Sequence, residues 1–203
     1  MFDTHQWRVE NYAQQSAKRT SDVIAMVLLS IRMQWSTVGM QMQNWREDSI
    51  QSQYLWGFKR KGMEYVKANQ HRLFYRVRAA RSGEIWIEDL MRDMLAVPGL
   101  GMVKAGFACQ LLTGHVGCLD VHNIKRLKLD PSEWHVRSYK DVDKQLREVD
   151  SKIATYMQMI DVCGGGDLLW DEWCEHLASI SEAFEDAEDV SLRHVTYLTG
   201  ETS

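Results

Sequence analysis

Residues 97–126, VPGLGMVKAGFACQLLTGHVGCLDVHNIKR, concentrate the side chains and breakers that could do chemistry. Val97-Pro98-Gly99-Leu100-Gly101 is a tight turn built from the strongest backbone breakers in the chain. An apolar, helix-like run follows at once, from Met102 to Leu112. Two glycines around one apolar residue let backbone N–H groups point outward at a helix N-terminus. Free N–H groups and the helix dipole both favour an anion there, so the turn suits a phosphate. After a second Gly-containing break comes a lone carboxylate, Asp120, in Leu119-Asp120-Val121-His122-Asn123. A fixed carboxylate can stabilise a developing positive charge or act as a general base. Asp is also a preferred helix N-cap, and Asp120 directly precedes a predicted helix over 121–129. The two roles are compatible. Lys104 can serve as an amine nucleophile, or simply as a cation in contact with phosphate. His122 and Asn123 flank the same aspartate. Lys125, Arg126 and Lys128 form a basic cluster beside it that fits phosphate contacts.

These residues resemble the signature of the helix–hairpin–helix DNA glycosylase superfamily. Its members carry a Leu-Pro-Gly-x-Gly hairpin, a packed helix, and then a Val-Asp-x-His or Leu-Asp-x-Asn segment that holds the catalytic aspartate. The resemblance puts the hairpin at Val97–Gly101 and the aspartate at Asp120, with His122 and Arg126 where the family often has a His and an Arg. It covers about thirty residues of the 203. It implies an all-α helix–hairpin–helix fold with a cleft between two lobes, into which a nucleotide is flipped. It further implies a DNA-binding, base-acting enzyme of the kind found in DNA repair. Pro98, Gly99, Leu100, Gly101, Lys104, Asn123, Lys125 and Arg126 would contact DNA, and Asp120 would line the cleft. The chain departs from the family in two ways. Lyase-active members have lysine two residues after the last hairpin glycine, where this chain has Val103; Lys104 is one residue later, a rotation of about 100° round a helix. Iron–sulfur members end in four clustered cysteines, which are absent here.

The run Lys-Ala-Gly-Phe followed by Gly-Cys-Leu-Asp-x-His-Asn is similar to glycosylase-like phage proteins, some implicated in attaching amino acids or polyamines to activated pyrimidines in DNA. In that variant Asp120 would deprotonate the incoming amine. A non-enzymatic alternative also stands: a DNA-binding or virion-internal protein in which Asp120 only caps a helix.

The elements that must position these residues are helical. Only two prolines and few β-branched runs point to an all-α chain, read as a single helical domain over 1–203 with the hairpin motif at 84–129. Residues 1–20 read as a polar arm or short helix. Thr20-Ser21-Asp22 is an N-cap cluster for the apolar helix starting at Val23, which should be central. Residues 45–82 are amphipathic, with Leu55, Phe58, Met63, Val66, Leu73 and Val77 at helical spacing. Ser82-Gly83 breaks that pattern, and Glu84 to Leu95 leads into the hairpin. Asp130-Pro131-Ser132 is a turn. A long helix over 138–162 presents Val142, Leu146, Val149, Ile153, Tyr156 and Ile160 on one face. Gly164-Gly165-Gly166 ends it, and Asp167 caps another helix running through Trp170, Trp173 and Leu177.

Charge divides along the chain. Residues 1–140 hold 20 Lys/Arg against 13 Asp/Glu, whereas 141–203 hold 4 against 15. That division fits a basic DNA-facing side with acidic helices over 138–203 facing solvent or a protein partner, and equally the simple solvation of two different helix faces. Lys59 to Arg81 carries eight Lys/Arg and one acid, interleaved with Tyr65, Phe74 and Tyr75. That composition fits a DNA track, and equally a plain amphipathic helix with a basic solvent face. Eight tryptophans and eleven methionines fit a helical core, with a few rings able to stack on bases. Four scattered cysteines make neither a disulfide framework nor a zinc spacing, so neither a metal nor a cofactor is expected. The apolar stretch from Val23 to Ile31 is too short to span a bilayer. The N-terminus has no signal-peptide pattern, which leads to an expectation of a reduced, cytoplasmic protein, in host cytoplasm if phage-encoded.

Overall fold

A computed structural model describes residues 16–33, 35–49, 55, 57–134 and 142–171. The described chain is all-helical, with no strand among those residues. We number its α-helices α1 (Ala17–Leu29), α2 (Trp35–Arg46), α3 (Phe58–Arg81), α4 (Ile87–Leu95), α5 (Met102–Thr113), α6 (Val121–Leu127) and α7 (Val142–Val162). A 3₁₀ turn spans Pro131–Glu133, and residues 166–171 are again helical. The proposed arm at 1–15 and the acidic segment beyond 171 lie outside the described residues.

α1 is the hub. Its apolar run buries on every side, Val23 to Leu29 being at most 1% exposed, because α2, α3 and α5 all pack against it. Its start differs from the N-cap read from Thr20-Ser21-Asp22. The cap is Ser16, whose Oγ accepts from the Arg19 N–H at 3.2 Å. Residues 20–22 are buried inside the helix instead. Asp22 faces α2, where its carboxylate accepts from Trp45 Nε1 at 2.9 Å and Arg46 Nε at 3.3 Å. A partner more than twenty residues away outweighs the local capping preference, since a buried carboxylate needs donors wherever they lie.

Two cationic side chains close helix C-termini, where carbonyls lack intrahelical partners. Lys59 is fully buried and donates from Nζ to Leu29 O at 2.9 Å, at the end of α1. Arg81 donates to Leu112 O at 3.2 Å, at the end of α5. Gly62 lets α3 approach the hairpin and α1 together: a Cβ there would collide with Pro98 O and the Leu28 methyls. α4 is fastened on two sides. Arg72 and Arg76 of α3 grip its Asp93, and its Arg92 bridges Asp89 and Asp150 of α7. α4 begins at Ile87, three residues later than expected, because Asp89 accepts the Trp86 N–H as a local cap. The helical turn at 166–171 likewise starts before Asp167, so that Asp lies in its first turn and does not precede it.

Burial holds the Lys59 amine below the ordinary lysine range. The folded pKa is thus below the unfolded one, and in that window the unfolded chain binds more protons. Stability from this residue therefore rises as pH climbs toward the unfolded value of 10.5. The stability difference between wild type and Lys59→Met should grow in favour of wild type from neutral to alkaline pH, measured by urea denaturation. A pH-independent difference would show that the amine is not desolvated as described.

Candidate nucleic-acid interface

Val97 to Gly101 forms a turn between α4 and α5, as the breakers require. The Leu100 N–H donates to Val97 O at 3.1 Å. Pro98 sits second and Gly99, with φ +97°, sits third, the arrangement of a type II turn. Gly99 has a second constraint: a Cβ would come within 2.5 Å of the Phe58 ring at the start of α3. Gly101 has neither. Its φ is −86°, it is exposed, and a Cβ added there would meet nothing within 4 Å. It is the N-cap of α5, and no side chain caps that helix end. Leu100 turns inward and is 5% exposed, so this proposed DNA contact is a core side chain between two accessible glycines.

The segment after α5 is folded back onto it through glycines. Gly114 ends α5 in the left-handed conformation, with φ +80°. Gly106 and Gly117 then meet so closely that a Cβ on Gly106 would lie 2.6 Å from Gly117 O and 2.8 Å from the Tyr156 hydroxyl oxygen. Tyr156 of α7 is completely buried and edge-on to Trp134 at 6.0 Å. Its hydroxyl donates to Gly117 O at 2.8 Å and accepts from the Leu119 N–H at 3.1 Å. Those two bonds pin the extended backbone that delivers Asp120. Without the hydroxyl, two buried backbone groups would lose partners, each a penalty of about 1–3 kcal/mol.

Asp120 caps α6. Its Oδ1 accepts from the Asn123 N–H at 2.9 Å, and its carbonyl accepts from the Ile124 N–H at 2.9 Å. The carboxylate is half-buried. Lys104, in the first turn of α5, is also half-buried. Its Nζ donates to Ser30 Oγ at 3.2 Å and lies 5.4 Å from the Phe107 ring centre. Ser30 in turn donates to Val27 O at 2.8 Å, which leaves its lone pairs for the ammonium. Lys104 and Asp120 both act on the thiol of Cys118. Burial pushes that thiol up to about 12, with Lys104 opposing and Asp120 adding to the shift. Both charges are felt at one buried sulfur, and the close approach of Gly106 to Gly117 shows that the two motif segments meet in space.

Other nominated residues fall elsewhere. Asn123 is 4% exposed; its amide donates to Cys118 O at 3.4 Å and accepts from Arg126 at 3.4 Å. It is a buried brace of the Asp120 loop and not the surface contact expected from the sequence. Lys125, Arg126 and Lys128 are exposed on and just after α6. The side chain of His122 lies outside the described residues. The basic run on α3 is much less available than its composition suggests. Lys59 is buried, Lys67 pairs with Asp48, Arg72 and Arg76 hold Asp93, and Arg81 caps α5. Arg60, Lys61 and Arg78 are left facing solvent, Arg78 lying over Phe74. A cavity of about 360 Å³ between α2 and α3, lined by Trp45, Leu55, Arg60, Met63 and Lys67, contains no residue of the hairpin or the Asp120 segment.

Sequence reasoning missed Ser30, Gln110 and the Tyr156 hydroxyl. Tyr156 was legible as a core residue of a helix face; its polar end bonds a segment 37–39 residues away, which local periodicity cannot register. No protein-family model matches the chain, and no curated protein or solved structure matches it.

The two hairpin glycines should separate on substitution. Gly99→Ala forces a side chain into positive φ and against Phe58, and should cost about 2–4 kcal/mol. Gly101→Ala should change stability by no more than about 1 kcal/mol, since only its capping preference and backbone entropy change. Denaturant midpoints of the two variants test this, and equal losses would refute the turn geometry.

Proposed function

We propose that the protein grips the DNA backbone with its α4–turn–α5 hairpin and acts on a base presented to Asp120, in the manner of a DNA glycosylase. The observation that supports this most is the convergence of three features. The uncapped N-terminus of α5, the Lys104 amine and the Asp120 carboxylate belong to two segments packed on each other through Gly106 and Gly117. An uncapped helix N-terminus with a lysine in its first turn suits a phosphate. A carboxylate on the neighbouring segment suits a developing cation at the sugar, or an amine to be deprotonated. Transfer of an amino acid or polyamine to an activated pyrimidine uses the same groups, with Asp120 as the base. Lys104 fits phosphate contact better than attack on a sugar, because a hydroxyl and an aromatic ring already hold its ammonium.

One observation favours a non-catalytic reading: Asp120 already has a structural job as the α6 cap. Substitution divides the two, because Asn caps a helix as well as Asp does while lacking the charge. Asp120→Asn should keep the fold and DNA affinity and abolish chemistry. Asp120→Ala should in addition lose about 1 kcal/mol of stability with the cap. The assay is the mass of duplexes bearing damaged, mismatched or hydroxymethylated pyrimidines after incubation, with amine donors present and absent. Full turnover by Asp120→Asn on a duplex that the wild type alters would remove the catalytic role and leave a binding protein.

A further inference from the structure

The connector that delivers Asp120 is held in a conformation that its sequence opposes. Val116 has φ +70° and is 5% exposed. The other non-glycine residues in the left-handed region among the described residues are Arg32, Asp48 and Lys128. Each is exposed and lies shortly past the end of a helix, where one left-handed residue is an ordinary stop. α5 already has its left-handed stop at Gly114. Val116 is a second left-handed residue in the same connector, and it is β-branched and buried, so its backbone is strained. Glycine stands one place later, at 117, where φ is not positive. There it supplies room beside Leu169 and Ile160, not backbone freedom.

Strain of this kind persists only where neighbours over-determine it. Here the neighbours belong to the helical turn at 166–171. Gly166 packs on Val116 O so tightly that a Cβ would collide with it. Gln110, 1% exposed, donates from Nε2 to Gly166 O at 2.6 Å. Leu169 lies against Gly117, and Trp170 is buried. Gly164 and Gly165, both at φ +93°, form the joint by which this turn leaves α7. A joint of two glycines on one side and a strained valine on the other make the turn a separable unit. Seated, it clamps Val116; lifted, it frees Val116 to leave the left-handed region, and residues 117–120 to follow.

We propose that residues 166–171 are a latch on the 114–120 connector. The closed latch keeps Asp120 in the register that caps α6; the open latch releases the strain at Val116 and takes Asp120 out of that register. The control this gives over chemistry rests on the reading of Asp120 as the acting carboxylate at a DNA site. The opening itself does not.

All tests use the full chain. Glycine ordinarily lowers stability relative to alanine, but only glycine is at ease at positive φ. Val116→Gly should therefore have a urea midpoint above that of Val116→Ala, by roughly 0.3 M; the opposite order overturns the inference. Opening is read at the Cys118 thiol, which is buried and reacts only when its cover lifts. Iodoacetamide under native conditions, with sites resolved by mass spectrometry, should alkylate Cys118 about tenfold faster in Gln110→Met than in wild type, since Gly166 O loses its donor. Cys109, inside α5, should not change. Gly166→Ala opens the latch by a different route and should behave alike. Equal acceleration at both cysteines means that only global unfolding exposes them, and overturns the latch. Hydrogen exchange in wild type needs no variant: the Leu119 N–H should exchange faster than the interior amides of α5, and equal protection overturns the latch as well. Saturating duplex should slow Cys118 alkylation, because DNA held at the Asp120 site favours the closed form. Alkylation that a bound duplex leaves unchanged removes the control of the site. If opening behaves as expected and no duplex binds, the latch stands and the DNA-binding reading falls.

Discussion

The Tyr156 hydroxyl is the contact on which the candidate site depends. It sits between a carbonyl and an N–H of one extended stretch, Gly117 to Leu119, and is fully buried. A stretch without regular secondary structure inside a helical protein has backbone groups that no ladder satisfies. Tyr156 satisfies two of them and fixes the register in which Asp120 begins α6. Burial raises the phenol well above its ordinary range, so it remains a neutral donor and acceptor throughout the physiological range. Gly106 is the steric counterpart, since only hydrogen there admits the phenol and Gly117 O, while a Cβ on Gly117 would meet Leu169 and Ile160.

The same logic governs the charges. α3 reads as a basic helix, but most of its cations are structural. One closes α1, one closes α5, two hold α4, and one pairs with Asp48 beyond the end of α2. What composition presents as a nucleic-acid track is largely the set of fastenings between helices. The exposed cations that follow the aspartate are those of α6 and the residue just past it, and Lys104 lies half-buried in the first turn of α5. In the proposed reading, few charges beside an uncapped helix N-terminus would serve a polymer backbone better than a base sequence.

Much of this was legible in the sequence, for identifiable reasons. Breakers act locally, so the turn at 97–101, the stop at Gly114 and the cap at Asp120 could be read from neighbouring residues. The burial of Val23 to Leu29 followed from an apolar run without a polar face. What the sequence hid was long-range. The Asp22 carboxylate resembled a cap until Trp45 and Arg46 proved to be its partners, Asn123 resembled a surface amide until it proved to brace Cys118 O, and Leu100 points into the core. Each is a polar or hairpin residue whose role is set by an element that folds onto it, and periodicity carries no trace of that.

The most direct measurement is the salt dependence of binding to short duplexes of unrelated sequence, followed by fluorescence anisotropy. A hairpin and α6 that hold the backbone predict that log K falls linearly with log salt, with a slope on the order of −4 and nearly the same for every sequence. Absence of binding at low salt, or affinity that ignores salt while depending strongly on sequence, would contradict a backbone grip.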